Sequence, residues 1–291
     1  MTEITSLIQV VVSGILTGGV YAVVGIGLSL IFGVMRVVNF AHGEFLALGM
    51  YGALLLFTRF HLDPYLAIVV VLPAAVLLGY AVEKVFIAPI AHAPEHSSIL
   101  MTVGVGLVIS NLLLFGFGAQ PQSIYTAYST STLRLGAVTF SLPLTVSFLI
   151  TVGAIAGLYA VLTRTEVGRA MRATAQNRDA AELVGVNTAQ IRGLAFGIGI
   201  ALAMLAGTLL LPVLYVIPTV GGVFTLKAFV VTVLAGMGNV LGAIGGGLIL
   251  GVAESLGATY VSSGYHDAFG LIAFLLVLLF RPAGLFGRSR V

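Results

Sequence analysis

An all-α bundle of membrane-spanning helices is the fold class this sequence predicts, and three observations predict it. Of 291 residues, 59% are hydrophobic. Only 8% are charged, where a soluble domain carries about 25%. The mean hydropathy is +1.14, and the apolar residues gather into runs suited to crossing about 30 Å of hydrocarbon. A soluble fold of this composition would lack a polar surface. A helix bundle in lipid satisfies its backbone internally and can be as apolar outside as inside.

In chain order the apolar segments are 7–35, 40–57, 65–87, 99–118, 142–163, 193–216, 226–238, 239–261 and 267–281. Residues 1–291 read as one transmembrane domain with a polar cytoplasmic loop at about 164–192. The first segment is too long for a straight crossing, which predicts a tilt or a break near Gly25, Gly27 or Gly33. The stretch 226–238 is too short to cross alone. With its successor it reads as one helix broken at Gly236-Met237-Gly238-Asn239. Nine segments are expected, with eight as the alternative. No cleavable signal peptide is expected, because no basic region precedes the first, overlong apolar run.

The basic residues orient the chain. With the C-terminus in the cytoplasm, Arg36, Lys84, Arg164, Arg169, Arg172, Arg178, Arg192, Arg281, Arg288 and Arg290 fall inside. Arg59, Arg134 and Lys227 fall outside. These are all 13 basic residues, and the bias follows the positive-inside rule. Cysteine is absent, so disulfides and thiolate sites are excluded. The five histidines are scattered, and His42 has no second ligand at useful spacing, so no metal is implied.

Two polar stretches stand out. Ala119 to Ser141 reads as an ordered outer loop or a strand pair. Arg164 to Arg192 holds much of the charge. Within it Asn177 is an N-cap, Asp179 stands in the first turn, and Gly185 suits a left-handed C′ position followed by apolar Val186. A two-turn helix is predicted, with Asn187-Thr188 opening the next span. Ala181 and Gly185 lie four apart, a face small enough for close docking. Glu182 reads as an exposed rim charge. A plain solvated connector is the alternative.

Asp179-Ala180-Ala181 followed by Gly185 resembles the acidic-Ala-Ala-x-x-x-Gly core of the coupling loop in ABC importer permeases. Three further stretches resemble the branched-chain amino acid ABC permeases of the LivH type. They are Asn39-Phe40-Ala41-His42-Gly43-Glu44-Phe45, the Gly-rich run from Val233 through Asn239 to Gly251, and Arg281-Pro282-Ala283-Gly284-Leu285-Phe286-Gly287. The resemblance spans nearly the whole chain. It departs between Pro89 and Ser98, where His92 and His96 stand in place of the arginines usual in the family. The resemblance implies an importer permease in a bacterial-type cytoplasmic membrane. Its partners would be a second permease chain, two cytoplasmic ATPase subunits and a periplasmic or extracellular solute-binding protein. ATP and Mg would be bound by those ATPases. In agreement, the chain has no G-x-x-x-x-G-K-[ST] phosphate loop. The resemblance assigns ATPase coupling to Asn177, Arg178, Asp179, Ala180, Ala181, Glu182, Leu183 and Gly185.

Substrate-pathway residues are expected where polar groups interrupt apolar sequence: Asn39, His42, Gly43 and Glu44, then Gly236, Gly238 and Asn239. Such breaks occur in membranes where they line a cavity. The alternative for the first is a helix cap at the interface, with Glu44 pairing Arg36. For the second it is close packing, since Gly242/Gly246 and Gly247/Gly251 are G-x-x-x-G pairs, as are Gly14/Gly18 and Gly153/Gly157. Glu254 is either a paired structural charge or a pathway residue, while Asn111 and Glu83 are expected to bond between helices. A secondary transporter or channel-like uniporter would show internal repeats and matched acids. A membrane enzyme would show a catalytic cluster such as H-E-x-x-H. Neither signature is present, and nothing marks a nucleic-acid partner.

Overall fold

A computed structural model describes residues 3–91, 93–136, 138–281 and 283–287. Of the residues named above, His92, Pro282, Arg288 and Arg290 lie outside the described residues. The helices are α1 (Glu3–Met35), α2 (His42–Phe60), α3 (Pro64–Val82), α4 (Glu95–Phe117), α5 (Leu142–Arg164), α6 (Glu166–Gln176), α7 (Arg178–Leu183), α8 (Thr188–Leu210), α9 (Val220–Ala235), α10 (Gly242–Tyr260) and α11 (His266–Phe280). Among the described residues, eight helices are long and apolar enough to cross a membrane. The ninth apolar helix, α9, has 16 residues. The chain is thus a polytopic helical membrane bundle.

The buried centre is made by α1 and α8, with the other helices around them. Glycine sets the closest approaches. A Cβ on Gly18 would stand 2.7 Å from Gly247 O, and one on Gly247 would stand 2.4 Å from Ala22 N. Across α3 and α8, Gly79 meets the Gly197 backbone and Gly193 lies under the Tyr80 ring. The expected break in the first segment does not occur: α1 is continuous. Gly25, Gly27 and Gly33 instead accept Val231, the Gly199 carbonyl and Gly238. A Cβ added at Gly153 or Gly157 would have nothing within 4 Å, so among the described residues this pair meets no other helix.

The helices alternate between two ends. At the first, a hairpin pairs β1 (Thr132–Leu135) with β2 (Val138–Ser141), antiparallel, Thr132 opposite Ser141. The loop around it is tied to three neighbours. Thr139 N donates to Gln9 Oε1 at 2.7 Å, Tyr128 Oη to Asp63 Oδ2 at 2.6 Å, and Gln122 N to Val216 O at 2.9 Å. Asp63 also accepts from Tyr65 N at 2.9 Å, capping α3. Burial, then the bond to Asp63, pushes the Tyr128 hydroxyl well above its ordinary range. The opposite end carries α6, α7, the α9–α10 turn and the segment after α11.

Two expected positions need correction. Lys227 does not mark the start of its span: it lies inside α9, buried against Glu254 and paired with Asp267 in the first turn of α11, still toward the first end. Its pairing hides the charge, so the helix begins at Val220 rather than near 226. Asn111 bonds Leu107 O of its own helix at 2.8 Å, not another helix. Glu83 does meet another helix, facing Arg192 on α8.

Candidate functional site

The α7 end presents the segment built most completely by local chemistry. Asn177 Oδ1 accepts from Ala180 N at 3.0 Å, closing the start of α7. At the other end Gly185 takes φ +87°. Its N–H donates to Glu182 O at 3.0 Å, and Val186 N–H donates to Ala181 O at 3.0 Å. These paired bonds form a Schellman motif, and a glycine adopts its left-handed residue without Cβ strain. Asn187 Oδ1 then accepts from Gln190 N at 3.1 Å and starts α8. Three capped turns within a dozen residues fix how this corner projects.

The exposed face of α7 differs from the expected one. Ala181 is 3% exposed and turned into the chain, so it does not present a docking surface. Leu183 and Val184 are 88% and 79% exposed at the tip. Glu182 is more than a rim charge: it accepts from the Thr188 hydroxyl and pairs with Arg178 at 3.2 Å. Those two bonds hold its carboxyl below the usual range, and they join α7 to the first turn of α8. Arg164, Arg169, Arg172 and Arg178 fall in the same stretch of chain, from the end of α5 to the start of α7, and Arg169 pairs with Glu166 at 3.6 Å.

The Asn39–Glu44 break lies inside the bundle. Arg36 takes φ +56° after α1, and 37–41 return between helices without regular structure. The segment is held by side chains. Asn39 Oδ1 accepts from Ala41 N at 3.1 Å, Thr102 Oγ1 from Phe40 N at 3.3 Å, and Thr225 Oγ1 from Gly43 N at 3.0 Å. Asn39 and His42 are fully buried. His42 Nε2 lies 3.0 Å from Val24 O. Gly27 touches both the His42 ring and Gly199, so α2 begins level with the middle of α8. Gly43 packs against the Gly221 backbone. Glu44 does not pair with Arg36: its carboxylate lies over Gly221 at the start of α9, with Oε2 buried and unbonded.

The second break, Gly236–Asn239, is a turn at the α7 end, where Gly236 and Gly238 both take positive φ. The segment after α11 folds onto it. Asn239 Nδ2 donates to Phe286 O at 2.9 Å, Leu285 N donates to Leu234 O at 2.8 Å, and Gly236 lies against Gly287. Asn239 also caps α10, accepting from Gly242 N at 3.0 Å. This turn borders two open clefts. One, about 300 Å³ and mostly apolar, has α1, α5, α6 and α10 for walls; the other, about 630 Å³, includes Arg36 and Phe286. None of Asn39, His42, Gly43 and Glu44 lines either cleft. The two breaks are therefore not brought together.

Charged groups beyond these segments also gather. Lys227 Nζ donates to Glu254 Oε1 and lies 2.8 Å from Asp267 Oδ1, above the Tyr21 ring at 4.7 Å. His266 Nδ1 is 3.6 Å from Glu254 Oε2. The ligand atoms of Glu254, His266 and Asp267 lie within 4.8 Å of one another. The Lys227 ammonium against both carboxylates meets their charge from within the protein. Glu254 is thus a paired charge. The sequence reading missed Leu183 and Val184 as the exposed tip and missed α6 as a separate helix. Thr165, which caps α6 by accepting from Gly168 N at 3.1 Å, was the signal for it.

Comparison with known proteins places this arrangement. A profile for the branched-chain amino acid transport system / permease component matches residues 10–280. The high-affinity branched-chain amino acid transport system permease protein BraD of Pseudomonas aeruginosa is 33% identical over 306 residues, covering 100% of this chain and 99% of that protein. The corresponding LivH of Salmonella typhimurium is 30% identical over 297 residues, covering 98% and 96%. LivM of the same organism is 26% identical, covering 93% of this chain and 68% of that protein. On the profile match and the full-length similarity, the chain belongs to the permease-component family of branched-chain amino acid transport systems.

Proposed function

We propose that this chain is one permease subunit of an ATP-driven importer for branched-chain or chemically similar amino acids, moved into the cytoplasm by alternating access. The exposed Leu183–Val184 tip carries the reading. Two large apolar side chains held at the end of a doubly capped helix are suited to burial in a partner's groove. The partner is one of two cytoplasmic ATPase subunits, which bind ATP and Mg. A second permease chain completes the pathway, and an extracellular or periplasmic binding protein delivers solute at the hairpin end. The α7 end and the C-terminus then face the cytoplasm of a bacterial-type inner membrane, which agrees with the arginines around α6 and α7.

The pathway passes the Asn39–Glu44 break and the Gly236–Asn239 turn. Asn39 and His42 hold the first break in shape. Glu44, whose buried oxygen has no hydrogen-bond partner, is placed to receive a substrate ammonium. The test is an assembled complex in liposomes with Leu183→Asp/Val184→Asp, Glu44→Gln and Gly238→Leu. The first variant should release the ATPase in a pull-down at unchanged membrane insertion. The other two should keep the ATPase and lower uptake about tenfold or more. Full ATPase retention by the α7 variant would overturn the coupling assignment. Normal uptake by both others would overturn the pathway assignment.

A further inference from the structure

The corner that carries α7 is linked in series to the buried Glu83–Arg192 charge pair. Thr188, bonded to Glu182 of α7, opens α8. One turn later on the same helix, Arg192 faces Glu83 at the end of α3, Nε to Oε1 3.6 Å. Their side chains are 11% and 1% exposed. Neither Glu83 oxygen nor Arg192 Nε has a hydrogen-bond partner. Burying two charges costs several kcal/mol per ion, and only close geometry with further hydrogen bonds repays it. A buried pair at this separation leaves much of that unrecovered, so stability alone is a poor reason for it.

The backbone at Glu83 is equally unusual. Residues Glu83–Ile87 form a π-helical turn, with Ala88 N–H donating to Glu83 O. Pro73 interrupts the hydrogen-bond ladder half-way along α3. Pro and π turns are where helices bend. Between them, residues 76–82 of α3, with Glu83 at their end, are zipped to the first half of α8: Gly197 lies against Val76 O, Gly79 against Gly197 and Ile200, and Gly193 against Tyr80. The Thr188–Glu182 bond is thus the contact through which a displacement of α7 would reach this pair of half-helices.

We propose that Glu83 and Arg192 are positioning residues for coupling: their ion pair keeps the half-helix 76–82 in register with α8, so that α7 movement shifts both together. The proposal rests on the assignment of α7 as the ATPase contact. The test uses the complete transporter in liposomes, with Glu83→Gln, Arg192→Gln, Arg192→Lys and the exchange Glu83→Arg/Arg192→Glu. ATPase retention, ATP hydrolysis with loaded binding protein, and solute moved per ATP are read separately. Glu83→Gln and Arg192→Gln should retain the ATPase and hydrolyse ATP, yet move about tenfold less solute per ATP. Arg192→Lys and the exchange should recover most of that ratio. An unchanged ratio in both single neutral variants overturns the proposal. Loss of ATPase retention and hydrolysis in parallel with uptake, unrelieved by the exchange, also overturns it as a purely structural role. If the neutral variants fail to fold, the exchanged pair decides: folded with a restored ratio supports the proposal, folded but uncoupled overturns it. Failure of the α7 assignment shows separately, as ATPase retention by the Leu183→Asp/Val184→Asp variant.

Discussion

Glycine sets the closest contacts of this bundle, and its neighbours differ from site to site. At Gly247 an added side chain meets the Ala22 backbone at 2.4 to 2.5 Å, which neither helix can yield without separating. At Gly153 an added side chain meets nothing within 4 Å. Gly247→Leu should therefore destabilise the isolated chain by about 1–3 kcal/mol or more. In detergent this should lower the midpoint of loss of the monodisperse peak on heating by several degrees. Gly153→Leu should leave the midpoint unchanged. Both glycines belong to G-x-x-x-G pairs, and the sequence shows no difference between them. The motif specifies a small face, but which face finds a partner depends on helix order around α1. Charged residues were ambiguous for a related reason. Lys227 reads as the edge of a span because a lone ammonium is costly in lipid. Its compensation comes from Glu254, 27 positions away, through a contact that no local pattern reveals.

Short elements were legible where their chemistry is local. The ends of α7 follow from Asn177 and Gly185, and the strand pair was one of two readings, with an ordered loop, of the Gln-, Ser-, Thr- and Tyr-rich stretch before Ser141. The orientation of α7 did not follow, because it depends on Thr188 and Glu182 docking the helix with Ala181 inward. Conformation and docking at Gly185 can be separated. Asparagine tolerates the left-handed region and valine does not. Gly185→Asn should keep the ATPase, while Gly185→Val strains the turn by roughly 1–2 kcal/mol and should weaken ATPase retention in the same pull-down. At the other end of the bundle, the Tyr128–Asp63 bond joins the hairpin loop to the α2–α3 corner. A hydrogen bond to a charged acceptor contributes about 1.5–3 kcal/mol. Tyr128→Phe should therefore speed amide exchange across 119–141. Its pH dependence has a definite sign. The folded-state value of Tyr128 is raised, so its contribution is complete below the ordinary tyrosine value of about 10. It is lost as pH rises through the folded value. Protection of this loop in the unmodified chain, taken as its exchange rate relative to the intrinsic rate at the same pH, should fall only in alkali and stay constant between neutral and mildly acidic pH.

The whole molecule follows from the parity of its crossings. Among the described residues, eight long apolar helices and the shorter α9 carry the chain from the hairpin end, where α1 starts, to the α7 end, where α11 stops. Composition and segment spacing made this legible, and the glycines marked an interruption at 236–239, but the expected single broken helix is two: Lys227 meets Glu254 and Gly246 meets the Val231 carbonyl, so the turn reverses the chain and lays α9 beside α10. The sequence did not show that residues 283–287 fold back over that break, since the bonds from Asn239 and Leu234 join positions remote in the chain. Nor did it show that Asn39–Gly43 returns to the middle of the bundle, because the same residues could equally cap a helix at its end. The proposed transport cycle requires the two ends to lie on opposite sides of the membrane, ATPase at one and solute delivery at the other. The absence of cysteine makes this directly measurable. Ser129→Cys and Val184→Cys, each introduced singly into the chain expressed without its partner subunits, are exposed to a membrane-impermeant maleimide in intact cells or spheroplasts and in inverted vesicles. Residue 129 should label only from outside and residue 184 only in inverted vesicles. Labelling of both from the same side would contradict the account.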